Sequence, residues 1–522
     1  MTSAQSDPPL GAPANQAGQA MICTHRMLLA AGLAACLSTA GCSVGPDFSP
    51  PDPLLPRASF FGKPEPQPAE SANLEAAIPD PPAEAAWWRT FRDPVLTSLA
   101  ERVAGANLDV QTATARLSES RAQRGGVAAA ALPSVNGNGQ YQRTLYSKNG
   151  LLSLLGPDAH VPPVSIWQTG FDASWELDLW GHVRRQIESA DAQVETAEYQ
   201  RRDVLVAALA ETARDYIALR AAQTQLAIAT ETLKSSSDIL ELTRTRAQKG
   251  LTTGLDVENA AAQVENVRAQ IPNFSNDVEN QINAISLILD EQPGALRSEL
   301  AQPKAIPPAP PRAPLGVPSG LARRRPDIRA AEAQLHAATA NIGVAVAEFY
   351  PSVKLNGNLE LNALSLNKLW TGNALQYMAG PTVSLPIFEG GRLTSTLNLR
   401  TEQQQEAGLQ YHKTVLQAWH DVVNALNAYG SEQRRRDSLR AEVEHSRTAL
   451  MLSRVRYSNG VGDFITVLDA ERTLLQSQQQ LAQSTAAVST NLVQLYKALG
   501  GGWEQTFPDQ PQQTAATAQL PQ

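Results

Sequence analysis

Cysteine is almost absent. The 522-residue chain has three, Cys23, Cys36 and Cys42, all within its first 42 residues. That excludes a disulfide framework for the remainder, and no cysteine pair has metal-ligand spacing. Long apolar runs are missing after Cys42 as well. No later stretch approaches about 18 consecutive apolar residues, so no transmembrane helix is expected there. Excess positive charge is lacking: 43 Lys and Arg stand against 51 Asp and Glu, a net −8. Phosphate binding calls for a basic patch, so a nucleic-acid partner is not expected. Catalytic signatures are absent too, with no HExxH, GxxxxGK[ST] or GxSxG. The 7 histidines are scattered; His412 and His420 lie eight apart and read as surface residues. After Cys42 only Met378 and Met451 remain, too few for a methionine path for soft metals. No enzyme, cofactor or metal site is expected.

What is present begins with MICTHRMLLAAGLAACLSTAGC, Met21 to Cys42. A short basic start, an apolar run and small residues at its end are the layout of a secretory signal. Thr39-Ala40-Gly41 leads straight into Cys42, which resembles the lipobox of bacterial lipoproteins, with Thr39 where Leu is commonest. The resemblance implies cleavage before Cys42 and lipid on that cysteine. Ser43 follows, and by bacterial sorting rules a residue other than Asp there permits transfer to the outer membrane. Met21 or Met27 is an alternative start to Met1.

The chain is written twice. LDVQTATARLSESRAQRGGVAAAALPSV, ending at Val135, aligns without a gap on PDIRAAEAQLHAATANIGVAVAEFYPSV, ending at Val353, at an offset of 218 residues. Gly125 falls on Gly343. Further on, RAQKGLTTGLDVENA from Arg246 matches RYSNGVGDFITVLDA from Arg456, with Gly250 on Gly460. Two matched blocks in one order mean a duplicated unit of roughly 210 residues. The expected organisation is a signal with an extension over 1–41, a proline-rich lipid-anchored segment over 42–90 and a first repeat over 91–302. A stiff proline-rich linker over 303–320, a second repeat over 321–503 and a disordered tail over 504–522 follow.

Within each copy a helix ends near Leu-Pro or Tyr-Pro, and the period then changes to two. Val353, Leu355, Leu359 and Leu361 alternate with Lys354, Asn356, Asn358 and Glu360. Trp167, Phe171, Ala173 and Trp175 alternate with Gln168, Asp172, Ser174 and Glu176. Weaker alternation runs from Val135 and from Leu375. That makes four strands, two per copy, each about the length that crosses a bilayer when tilted. One face is apolar and the other carries charges and amides. The strands read as lipid-facing outside and lumen-facing inside, or alternatively as a soluble sheet packed on helices. Four strands do not close a barrel, and an open edge is not tolerated in lipid. Two chains would give eight strands and a filled interior; three would give twelve and a pore.

After each strand pair comes a proline-free stretch, about 184–248 and 393–457, which as helix would reach roughly 95–100 Å. Such helices pack laterally as coiled coils. Leu205, Leu209, Thr212, Tyr216 and Leu219 step by four and three, as do Val415, Trp419, Val422, Leu426 and Tyr429. The first turn-back is Gly250, Leu251, Thr252, Thr253 and Gly254. The second is Gly460, Val461, Gly462 and Asp463. Glycine stops one helix, and Thr253 or Asp463 can cap the next. Return helices are expected over 255–289 and 464–499.

On these features, and on WWRTFRDPVLTSLAERVAGANLDV, SGLARRRPDIRAAEAQL and RYSNGVGDFITVLDAERTLL, the chain resembles the outer-membrane efflux factor (TolC-like) family. It is most similar to the lipoprotein branch that serves RND-type tripartite pumps (NodT-type). The resemblance implies an α+β membrane protein and a homotrimer with a shared twelve-stranded β-barrel and a periplasmic tunnel of coiled-coil helices. It implies as partners a periplasmic adaptor, or membrane fusion protein, an inner-membrane RND transporter and outer-membrane lipid. By motif it places a periplasmic gate at Tyr457, Ile465, Asp469 and Arg472. Three copies of Ile465 and Asp469 would make an apolar and a carboxylate ring, kept shut by links such as Asp469 to Arg472 or Tyr457. An ordinary i,i+3 pair on a solvated face is the other reading of Asp469 and Arg472. The two turn-backs are the expected adaptor contacts. Rival readings are a duct for type I protein secretion, a trimeric adhesin and a periplasmic adaptor; the last should lack the four strands.

Overall fold

The computed structural model describes residues 43–51, 85–147, 162–310 and 324–508. The signal segment, Cys42, most of 42–90, part of the linker and the end of the tail lie outside the described residues. The helices longer than one turn are α1 (Pro94–Ala106), α2 (Leu108–Ala128), α3 (His182–Gln248), α4 (Gly254–Ile288), α5 (Pro326–Ala347), α6 (Arg392–Ser458) and α7 (Phe464–Ala498). Each proline-free stretch is one continuous helix of 67 residues, α3 and α6. α4 also continues through Pro272, although proline removes an intrahelical hydrogen bond. The chain divides into two compact units.

The first unit comprises the described part of Met1–Phe48, Gly125–Ser189 and Thr339–Glu402. The two-residue alternation becomes β1 (Ser134–Thr144), β2 (Val164–Leu177), β3 (Ser352–Ala363) and β4 (Leu375–Ser384). These form one antiparallel sheet in the order β1-β2-β3-β4. The two copies therefore meet at β2 and β3, with Trp167 opposite Ala363 and Leu177 opposite Val353. A side-chain period of two puts the charges and amides on one face, Arg143 near the end of β1 excepted. Asn136, Asp172 and Asn358 share one row across the strands. Asn136 donates to the Asp172 carboxylate at 3.2 Å, and Asn138 donates to it too. Glu360 accepts from Gln168, Asn358 and Gln376. Amide donors thus stand in for the water that two carboxylates would otherwise need.

Among the described residues, nothing covers the opposite face. Phe171 is 62% exposed and Tyr377 81% exposed, and Val135, Leu355, Leu359 and Val383 are exposed beside them. β1 and β4 each pair on one side only. A bare apolar face with two open edges is not a folded end state in water. The soluble-sheet alternative needed a helix layer on that face, and the described residues supply none.

The described part of the second unit, Ser49–Arg124, Ala190–Ala338 and Gln403–Gln522, is helical. Trp87, Trp88 and Phe91, on a single 3-10 turn, fill its core with Leu205, Leu209, Tyr216, Leu492 and Tyr496. Trp87 stacks on Tyr496 at 5.3 Å. Asp93 caps α1 through the N–H groups of Val95 and Leu96, and it also accepts from the Tyr216 hydroxyl at 2.8 Å. The residues stepping by four and three along α3 are all buried, Thr212 included, because they face this core. The described start of the linker is stapled down: Ser489 donates to the Pro307 carbonyl at 2.7 Å, and Tyr429 donates to that of Pro310. Residues 504–508, expected to begin the tail, are also packed. The Arg201 guanidinium lies 3.8 Å from the centre of the Phe507 ring, and Arg202 donates to the Pro508 carbonyl.

Candidate functional site

The gate and tip residues all belong to the second unit, at the turns between α3 and α4 and between α6 and α7. Both turns stop a helix in the same way. Gly250 takes φ +72° and Gly460 φ +75°, a conformation that costs glycine little. The Gly250 N–H reaches the Ala247 carbonyl and the Leu251 N–H that of Arg246; Gly460 and Val461 repeat this on Tyr457 and Arg456. This is the αL closure of a helix C-terminus.

The restarts differ. Thr253 closes a full capping box with Asp256, whose carboxylate also accepts from Thr252. Burial works against the Asp256 charge, but the bonds from Thr252 and Thr253 outweigh it and hold the carboxyl below its ordinary range. Asp463 stands at the N-cap of α7 with extended backbone, yet its side chain makes no capping bond. The third residue of α7 is Thr466, so no carboxylate reaches back to complete a box. Of the two expected caps, only Thr253 is made. Leu251, Leu255, Val461 and Ile465 leave apolar side chains exposed at the turns.

The four gate candidates do not form one cluster within the chain. Tyr457 is buried, tilted against Phe464 at 5.6 Å, with the Arg246 guanidinium 4.7 Å over its ring. Its buried hydroxyl has no hydrogen-bond partner among the described residues. Ile465 and Asp469, four residues apart on α7, share an exposed face. Arg472 donates to Gln263 on α4 at 3.0 Å instead of to Asp469. The expected Asp469 to Arg472 link is therefore not made within the chain, because the guanidinium is turned toward the first hairpin. Among the described residues the Asp469 carboxylate makes no ion pair.

Two contacts between the hairpins were not anticipated. Arg246, near the end of α3, donates to the Ser458 carbonyl at the end of α6 at 3.1 Å while it covers Tyr457. Glu471 is 4% exposed and accepts from Ser235 and Ser236 of α3 at 3.2 and 3.0 Å. Arg454 of α6 lies 3.5 Å from the same carboxylate. Burial pushes the Glu471 carboxyl above its ordinary value, although Ser236, Arg454 and Ser235 pull the other way. The sequence did carry a signal. Phe464, Val467, Leu468, Glu471 and Leu475 form one stripe at helical spacing, and a carboxylate within an apolar stripe requires a buried partner.

Cys42 lies outside the described residues.

A family profile described as outer membrane efflux protein matches residues 99–290 and 317–501. The chain is 31% identical to the toluene efflux pump outer membrane protein TtgC of Pseudomonas putida, over 89% of this chain and 94% of that one. It is 30% identical to nodulation protein T of Rhizobium leguminosarum bv. trifolii, over 90% and 96%. Among solved structures, the outer-membrane channel OprN matches with a TM-score of 0.79 at 32% identity, covering 89% of this chain and 100% of that one.

Proposed function

The chain belongs to the outer membrane efflux protein family, and from that membership we propose a specific assembly: three copies form one exit duct. An inner-membrane RND transporter and a periplasmic adaptor hand small molecules to it. The chain is an outer-membrane channel component of an efflux system; the copy number, partners, lipid and gate are the proposal.

The open sheet carries the reading. Four strands with a bare apolar face and a polar opposite face need more strands to close in lipid, and twelve leave a passage where eight do not. Leu409, Leu416 and Val423 recur every seven residues along α6 with exposed side chains, a coiled-coil seam that nothing covers among the described residues. A second and third copy would cover it. Lipid on Cys42 would add an anchor. Three Ile465 and three Asp469 would ring the axis of the closed tip, with Tyr457 and Arg472 bracing it from within each chain. Gly250 to Gly254 and Gly460 to Asp463 would meet the adaptor, with Leu251 and Val461 as apolar contacts. The proposed cargo is small toxic organic molecules, the class of the toluene named for one relative.

The mass of the complex extracted in mild detergent tests the assembly. Three chains per particle are expected, with ion-conducting steps in a planar bilayer. A stable one-chain or two-chain particle would refute it. Photo-crosslinking from Thr252 and Gly462 tests the tips; failure to capture an adaptor at both positions removes them as docking points.

A further inference from the structure

The residues directly after Cys42 do not hang free of the first unit. The Val44 N–H donates to the Trp180 carbonyl at 3.0 Å. Trp180 is itself fixed, its indole N–H on the Pro351 carbonyl at 2.8 Å and its ring stacked on Tyr350. Arg185, with only 4% of its side chain exposed, reads the same segment with two nitrogens. Nε donates to the Val44 carbonyl at 3.3 Å, and Nη2 donates to the Gly45 carbonyl at 3.5 Å and to the Asp47 carboxylate at 2.6 Å. The remaining nitrogen donates to Glu188 at 2.7 Å.

Glycines make the room. Gly45 has φ +92°, and a Cβ there would lie 2.5 Å from the Gly343 Cα. A Cβ on Gly343 would lie 2.8 Å from the Arg185 side chain, and one on Gly181 would lie 2.5 Å from the Ser43 hydroxyl. The segment itself and two distant stretches of chain are thus cut back where they meet. The duplication supplies an internal comparison. Gly125, the counterpart of Gly343, has open space around it. Arg185 stands four residues after Gly181, and four residues after Gly391, at the matching start of α6, stands Ser395. A scaffold role common to both copies would be built into both; this seat is built once.

We propose that Ser43 to Asp47 form a clip, read by Arg185, that holds the lipid-bearing amino terminus at one station beside the start of β3. The proposal rests on the reading that Cys42 is acylated. Neighbouring Cα atoms are about 3.8 Å apart, so the clip fixes where the acyl chains enter the membrane. A flexible tether of ten residues would let them wander by roughly 17 Å.

The test uses the full chain extracted from its own membrane, with Arg185→Ala and Gly45→Val. The second substitution alters only the clip and leaves α3 and α5 intact. Hydrogen exchange is followed in the peptide starting at residue 43, and labelled palmitate is followed on the chain. The expected result is protection of that peptide in the parent. Both variants should exchange at least tenfold faster there, with the strands, α3 and palmitate incorporation unchanged. Exchange at the free-peptide rate in the parent, or undiminished protection in both variants, would overturn the clip. Protection without palmitate would overturn the anchor and leave the seat itself demonstrated, so the two failures are distinct.

Discussion

Replacing Arg246 by Ala should loosen the tip, and the structure sets the size of the effect. The guanidinium makes one hydrogen bond to the Ser458 carbonyl and covers the Tyr457 ring. The bond is exposed, so it is taken below the charged-group range of about 1.5–3 kcal/mol, at about 1 kcal/mol. A partly exposed cation–π contact contributes about 1 kcal/mol more. If opening parts the α6–α7 hairpin from α3, the closed state loses about 2 kcal/mol per chain, a shift of roughly 30-fold in the equilibrium. Three tips that open together would lose about 6 kcal/mol, so concerted and independent opening differ by orders of magnitude. The assay is open probability in a planar bilayer at fixed salt. Arg246→Lys should recover only part of the closure, since an ammonium keeps the charge without the flat fork. Tyr457→Phe should be close to neutral, because the lost hydroxyl is buried and bonds to nothing among the described residues. Unchanged open probability in Arg246→Ala, or opening in Tyr457→Phe as large as in Arg246→Ala, would refute the reasoning.

Further expectations follow from the same tip. Asp469→Ala should raise single-channel conductance by removing side chains that narrow the proposed axial ring; unchanged conductance takes Asp469 out of the gate. Glu471 holds its proton more tightly folded than unfolded, so its contribution is complete below the ordinary glutamate value of 4.5 and is lost as pH rises through the raised value. Hydrogen-exchange protection at the α6–α7 turn, corrected for intrinsic rates, should therefore fall as pH rises through that window. Glu471→Gln should flatten the dependence, and a profile identical to the parent's would contradict the assignment. Thr253→Ala should cost about 1 kcal/mol and fray the first turn of α4. The corresponding Asp463→Ala should cost little, since that side chain caps nothing; equal effects would show that the two turns are capped alike.

The elements were legible because they rest on local rules. Alternation marked β1 to β4, and freedom from proline marked α3 and α6 almost to their ends. Paired glycines marked both turns. Helical stepping from Leu205 to Leu219 named a buried stripe correctly. Partners could not be read in this way. Ser236 and Glu471 meet across 235 residues of chain, and periodicity gives the face of a residue without saying what lies against it. For that reason sequence spacing pairs Arg472 with its near neighbour Asp469, while the fold turns it to Gln263 on α4. The clip was hidden likewise: its glycines are spread over the chain, and only the close approaches of Gly45 to Gly343 and of Gly181 to Ser43 explain them.

Efflux through this chain is tested most directly by the accumulation of a panel of dyes, solvents and antibiotics in cells with and without it, with the cognate pump present in both. Higher accumulation in its absence, restored by the wild-type chain, is the predicted result. Equal accumulation across the panel, with the pump shown to be present, would contradict a small-molecule duct and point to protein secretion instead.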